Sequence, residues 1–177
     1  MFEILLSGVA LVGGVSLLTL RTVTALLGVI TVAVLHVAAR RTTRDVRLAL
    51  LAALLLAIYP PAVLYSRFGF SYNLLAPLVL MVFWGLVEYC DLRSKRWLAV
   101  SAFSIGLGTL SDLWMFTMLA PFALVVLIRS WRDLLWSAPL ALLPFGVYAA
   151  IALLTVPQAF LFDLRYVLMR EIGRAHV

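Results

Sequence analysis

Charge is what this sequence has least of. Of its 177 residues 12% are charged and 65% are hydrophobic, where soluble domains carry about 25% charged residues. That shortage excludes a soluble core, because too little polar chain is left to cover the apolar surface, and the solvent must be mostly lipid. Alternating hydrophobicity is missing too, which excludes the pattern of an outer-membrane barrel. Cysteine is down to one, Cys90, so no internal disulfide can form, and the thiol reads as a small apolar side chain against a helix or lipid. The two histidines, His36 and His176, stand far apart in the chain. There is no glycine-rich phosphate loop, no metal-ligand spacing and no Ser/His/acid set. No cofactor is evident, no residue is assigned to a metal, and a need for a divalent cation is left open.

What the chain has instead is long apolar runs. Residues Thr22 to Ala39, Leu48 to Leu64, Asn73 to Tyr89, Trp97 to Ser111, Trp114 to Ile128 and Leu134 to Leu154 each read as a crossing, given that about 20 residues span the hydrocarbon core. Ile4 to Leu20 is apolar but broken by Gly13 and Gly14, and reads as a helix that either lies in the interface or crosses. The expected fold class is therefore all-α: a polytopic transmembrane helical bundle of about six spans plus that N-terminal interfacial or membrane helix.

The connections alternate in charge. One side collects Arg40, Arg41, Arg44, Arg47, Arg93, Lys95, Arg96, Arg129 and Arg132; the other has Arg21, Arg67 and Asp112, with Asp163 and Arg165 beyond the last span. The positive-inside rule makes the first side cytoplasmic. A net charge of +6 would suggest nucleic acid in a soluble protein. Here the cations cluster between apolar runs, so they set topology and anchor on lipid headgroups, and no nucleic-acid partner is expected. Trp97, Trp131 and Trp136 flank these clusters, as an aromatic belt would place them.

The stretch Tyr59 to Pro77 carries the best candidate site residues on the outer side. It breaks two apolar runs with Pro60-Pro61, Arg67, Gly69 and three tyrosines. Arg67 can fork onto phosphate oxygens or simply snorkel to lipid phosphate; Tyr65 stands beside it, and Arg21 lies on the same side. Asp112 can bind a substrate hydroxyl, act as a base, ligate a metal or cap the helix that follows. His36 sits inside a span and is expected as a hydrogen-bonded helix-contact residue, a functional role being the other reading. Glu88 and Asp91 lie beside basic residues, where surface pairing is expected.

Several of these stretches resemble one family in order and spacing. Arg21-Thr-Val-Thr-Ala-Leu-Leu-Gly28, the span end Ala-Ala-Arg40-Arg41, Leu51-Ala-Ala-Leu-Leu-Leu-Ala with Tyr59-Pro60, Tyr65-Ser66-Arg67 and Gly106-Leu-Gly108-Thr-Leu are similar to the GT-C membrane glycosyltransferases. Nearest are the dolichyl-phosphate-mannose protein mannosyltransferase-like and aminoarabinose-transferase-like families. The resemblance runs from about Val9 to Leu154. It implies a multi-pass protein of the bacterial inner membrane that takes a sugar from a polyprenyl-phosphate donor in the outer leaflet. An acceptor hydroxyl attacks the anomeric carbon, and the lipid phosphate leaves. Such a reaction needs a carboxylate for the acceptor and a cation for the departing phosphate. The resemblance makes Arg67, Tyr65, Arg21 and Asp112 substrate-binding residues, with Arg67 and Arg21 on donor phosphate. Relatives often carry a lysine where this chain has Ser111-Asp112, which puts phosphate contact there in doubt. The family's catalytic acid lies in a large outer loop after the first span and has no counterpart here, so no catalytic residue is assigned.

The resemblance thus leads us to expect a partial GT-C transmembrane domain over 1–170, inactive alone. Residues 171–177, Glu-Ile-Gly-Arg-Ala-His-Val, also translate from a common sequencing-library adapter, and are expected to be a non-native tail. Genomic DNA encoding the same seven residues and then a stop would refute that. The alternative of a different class is a transporter or flippase segment, or a membrane accessory subunit. A transporter tends to hold ionisable groups near the membrane midplane, whereas here they gather at loop tips, apart from His36.

Overall fold

The structure is a computed structural model of the whole chain, and it describes residues 7–9, 11, 14, 16–65, 72–162 and 165–166. Helix α1 (Leu17–Thr43) begins at Ser16, whose Oγ accepts the Thr19 N–H at 3.1 Å. The boundary expected between Leu20 and Thr22 does not occur, and one helix runs through both. Nothing in Leu17 to Thr22 interrupts a helix, and the break falls instead at Gly14, in the left-handed region (φ 75°), and at the Ser16 cap. Arg21 is therefore inside the first turns of α1. Arg40 and Arg41 belong to its last turn, where cations offset the carbonyl end of the helix dipole. The rest of the expected N-terminal helix falls largely outside the described residues.

Helix α2 (Val46–Ile58) is capped by Asp45, whose Oδ1 accepts the Arg47 N–H at 2.7 Å. It stops at Tyr59, and a short α3 (Pro60–Tyr65) follows, so the single span expected over Leu48 to Leu64 is broken. The cause is local. Proline steers the residue before it out of the helical region, and Tyr59 has ψ 114°. Prolines are then well placed in the first turn of α3.

Helices α4 (Tyr72–Leu92), α5 (Lys95–Thr109), a 3-10 segment (Leu113–Met118), α6 (Leu119–Arg129) and α7 (Trp131–Thr155) complete the order, with residues 157–162 again helical. The molecule is an all-α membrane bundle, without a strand among the described residues. Leu17–Thr43, Asn73–Leu92 and Trp131–Thr155 are long and apolar enough to cross a bilayer on their own; Val46–Ile58 and Leu113–Arg129 are shorter. Helix α5, with 15 residues, rises only about 22 Å. It is also the most enclosed helix, and lies between α4 and α7, while α1 packs on α4 and α2.

Small residues let α5 take that place. Ser101, Ala102, Ser104, Gly106 and Gly108 are buried along it, and small side chains are what allow helix backbones to approach in lipid. The Ser101 hydroxyl donates to the Val82 carbonyl of α4 at 2.5 Å. Gly85 of α4 lies under the Trp97 carbonyl, and Gly106 under Pro144 of α7. Around this contact Tyr89, Leu98, Ile105, Met115, Phe122 and Val126 form the core.

The basic ends of α1, α4, α6 and α7 are tied together by polar contacts. Arg41 Nε sits 2.9 Å from Glu88 Oε1, which also accepts from Trp84 Nε1 at 3.0 Å. Tyr89 donates to Asp133 at 2.7 Å, Arg93 to the Arg129 carbonyl at 3.2 Å, and Arg129 to the Cys90 carbonyl at 2.8 Å. Two expectations need correcting here. Glu88 is not a surface ion-pair partner but is buried at 3% exposure, because Arg41 reaches it from α1 and the Trp84 indole lies alongside. His36 is not hydrogen-bonded as expected: its Nδ1 is buried without a partner among the described residues.

Candidate functional site

At the end opposite the basic cluster, α5 runs out at Thr109. The N–H groups of Ser111 and Asp112 both donate to the Gly108 carbonyl at 2.9 Å, which folds the chain back sharply. Asp112 is then extended (φ −156°, ψ 133°), and its Oδ1 accepts the Trp114 N–H at 3.0 Å, capping the 3-10 segment. Aspartate suits that position because its carboxylate satisfies an amide the helix leaves free. Capping engages one carboxylate oxygen. The other, Oδ2, makes no hydrogen bond or ion pair among the described residues.

This turn forms one wall of a pocket of about 280 Å³. Thr109, Ser111 and Asp112 supply its polar wall; Phe145, Tyr148 and Phe160 supply the aromatic one. The rings follow each other: Phe116 meets Phe145 edge-on at 5.2 Å, Phe145 is 6.5 Å from Tyr148, and Tyr148 meets Phe160 edge-on at 6.2 Å. Phe145 and Tyr148 share a face of α7 by their three-residue spacing; Phe160 arrives from the helical residues 157–162. Asp112 is the only charged group among the described lining residues, and the Ser111 Oγ is buried without a hydrogen-bond partner among the described residues.

Of the four substrate-binding residues expected from the sequence, the three that are described do not share this pocket. Asp112 lines the pocket, while Arg21 on α1 and Tyr65 at the end of α3 do not. Arg67 lies outside the described residues. Phe145, Tyr148 and Phe160 were not anticipated as site residues. Their one signal is the aromatic spacing at the end of the last apolar run, which looks the same in a plain membrane helix. No group of three His, Cys, Asp or Glu is placed to hold a metal ion among the described residues.

No curated protein and no solved structure matches this chain. A family model does, the one described as dolichyl-phosphate-mannose-protein mannosyltransferase, over residues 1–159. The match takes in every helix from α1 to α7 and the turn at Asp112. Several helices can cross a bilayer, and the protein is a multi-pass integral membrane protein. The chain belongs to the dolichyl-phosphate-mannose-protein mannosyltransferase family, a GT-C-like family of membrane glycosyltransferases.

Proposed function

We propose that the protein transfers a hexosyl or pentosyl group from a polyprenyl-phosphate carrier to an acceptor hydroxyl at the outer face of a bacterial inner membrane. The observation that carries this reading is the family match, whose description names a lipid-phosphate sugar donor. The pocket of Asp112 supports it, since it opens at the end opposite the basic connections, which is the outer end by the positive-inside rule.

In this reaction the acceptor oxygen forms its bond to the anomeric carbon as the bond to the phosphate oxygen breaks. The acceptor proton passes to a carboxylate, and the phosphate keeps the electron pair. Stabilising that charge is the task of a fixed cation. We assign it to Arg67, with Arg21 and Tyr65 as further donor contacts. Asp112 is assigned to substrate binding, because one of its oxygens is held by the Trp114 amide. No residue of the chain is assigned as the catalytic base.

The test is transfer from a polyprenyl-phosphate sugar in proteoliposomes containing the full-length protein. Arg67→Ala is expected to raise the donor KM or lower turnover by roughly tenfold to a hundredfold, the worth of hydrogen bonds to a charged group. Arg67→Lys should recover part of the loss, since lysine keeps the charge but not the fork. Unchanged kinetics in Arg67→Ala would remove the donor-phosphate role.

A further inference from the structure

The pocket of Asp112 has a chemistry that phosphate does not fit. Its described lining holds no cation, and its one charged group is a carboxylate. A phosphate placed there would meet a like charge with no cation among the described lining residues to offset it, an arrangement that interfaces select against. An isoprenoid chain fits no better. Its wall is not uniformly apolar, as a tail would need: Asp112, Ser111 and Thr109 stand along one side.

We propose that this pocket binds a neutral sugar ring, with its hydroxyl edge on Asp112 and its C–H face on Tyr148. This rests on the reading of the outer end as the substrate face of a glycosyltransferase. A pyranose has the two surfaces that the pocket offers. Its equatorial hydroxyls are donors, and an ionised carboxylate is an acceptor with room for more than one of them. Asp112 has Oδ2 uncommitted among the described residues. The apolar face of the sugar needs a flat apolar surface. Tyr148 is 51% exposed, held between Phe145 and Phe160, so its ring is both positioned and accessible.

Saturation-transfer NMR on the full chain in nanodiscs tests this, with methyl α-mannopyranoside as the probe. Wild type is expected to transfer magnetisation to the ring protons of the glycoside. Asp112→Asn should weaken binding about tenfold, the loss of a charge-assisted hydrogen bond. Asparagine caps as well as aspartate does, so that variant keeps the turn. Tyr148→Ala should abolish transfer to the ring face, whereas Tyr148→Phe should keep it.

Displacement of the glycoside by a polyprenyl-phosphate sugar, but not by bare polyprenyl phosphate, assigns the ring to the donor. Displacement by neither assigns it to the acceptor. Absence of transfer in wild type, equal transfer in Asp112→Asn and Tyr148→Ala, or displacement by bare polyprenyl phosphate each overturns the proposal. Unchanged kinetics in Arg67→Ala with glycoside binding intact would count against the donor-phosphate assignment and leave the sugar pocket standing.

Discussion

Gly106→Ala is expected to be the most damaging of the alanine substitutions at Gly106, Gly108 and Gly146. A Cβ at position 106 would lie 2.5 Å from Pro144 Cδ and 2.6 Å from the Ala141 carbonyl oxygen. Neither neighbour can turn aside. The proline ring is fixed to its own backbone, and the carbonyl is part of the α7 ladder. The helices must separate instead, and separation opens the buried α5–α7 contact along its length. Overpacking a close contact costs about 1–3 kcal/mol, and the rigidity of both neighbours places this case at the upper end, about 3 kcal/mol.

Two other glycines calibrate the result. Gly108→Ala would meet the Met115 side chain, which is flexible enough to repack, so its cost should be smaller. Gly146→Ala meets nothing within 4 Å and removes a residue about 1 kcal/mol poorer than alanine in a helix. It should be neutral or stabilising. The measurement is the temperature at which half the protein stays monodisperse in detergent. Equal values for Gly106→Ala and Gly146→Ala would mean that α5 and α7 do not touch at this point.

How much of this could be read from the sequence depends on the range of the interaction. The apolar runs could, because lipid as solvent requires them whatever they pack against. So could the connections at Arg44-Asp45, Arg93-Ser94 and Ser130, each of which does separate helices. Two boundaries were misplaced for local reasons. A boundary was set between Leu20 and Thr22 although the capping chemistry sits at Ser16, and Leu48 to Leu64 was read as one span although the helix breaks at Tyr59 and resumes at Pro60. Asp112 as a cap was legible, since the residue and the following amide are neighbours in sequence. Its pocket was not. Tyr148 and Phe160 join Asp112 only because α7 returns past the end of α5, a fact of tertiary packing. Glu88 was misread for the same reason: the cation that pairs with it is not among its basic neighbours on the chain but on α1.

That pair carries the second large expected effect. The Glu88 side chain is 4% exposed, and both Arg41 Nε and Trp84 Nε1 reach its Oε1. Arg41→Ala would leave a buried carboxylate with one neutral donor. Removing one partner of a buried pair costs about 3–5 kcal/mol. Arg41 is itself 63% exposed, so solvent screens part of the attraction, and about 3 kcal/mol or less is expected. Arg40→Ala removes an exposed arginine from the same turn and should stay within about 0.5 kcal/mol of wild type.

Glu88→Gln should be milder than Arg41→Ala, because the amide oxygen can still accept from Trp84 while the buried charge is gone. In that background Arg41→Ala should cost under about 1 kcal/mol, as for a surface cation. The double variant is thus expected to be more stable than Arg41→Ala alone. Strict additivity of the two losses would show that Arg41 and Glu88 share no energy, and would leave α1 held to α4 by apolar packing such as that of Val23 and Leu27 on Leu74. Sub-additivity would place a polar tie at the other end of α1 from that contact, fixing the helix that carries Arg21 at both its ends.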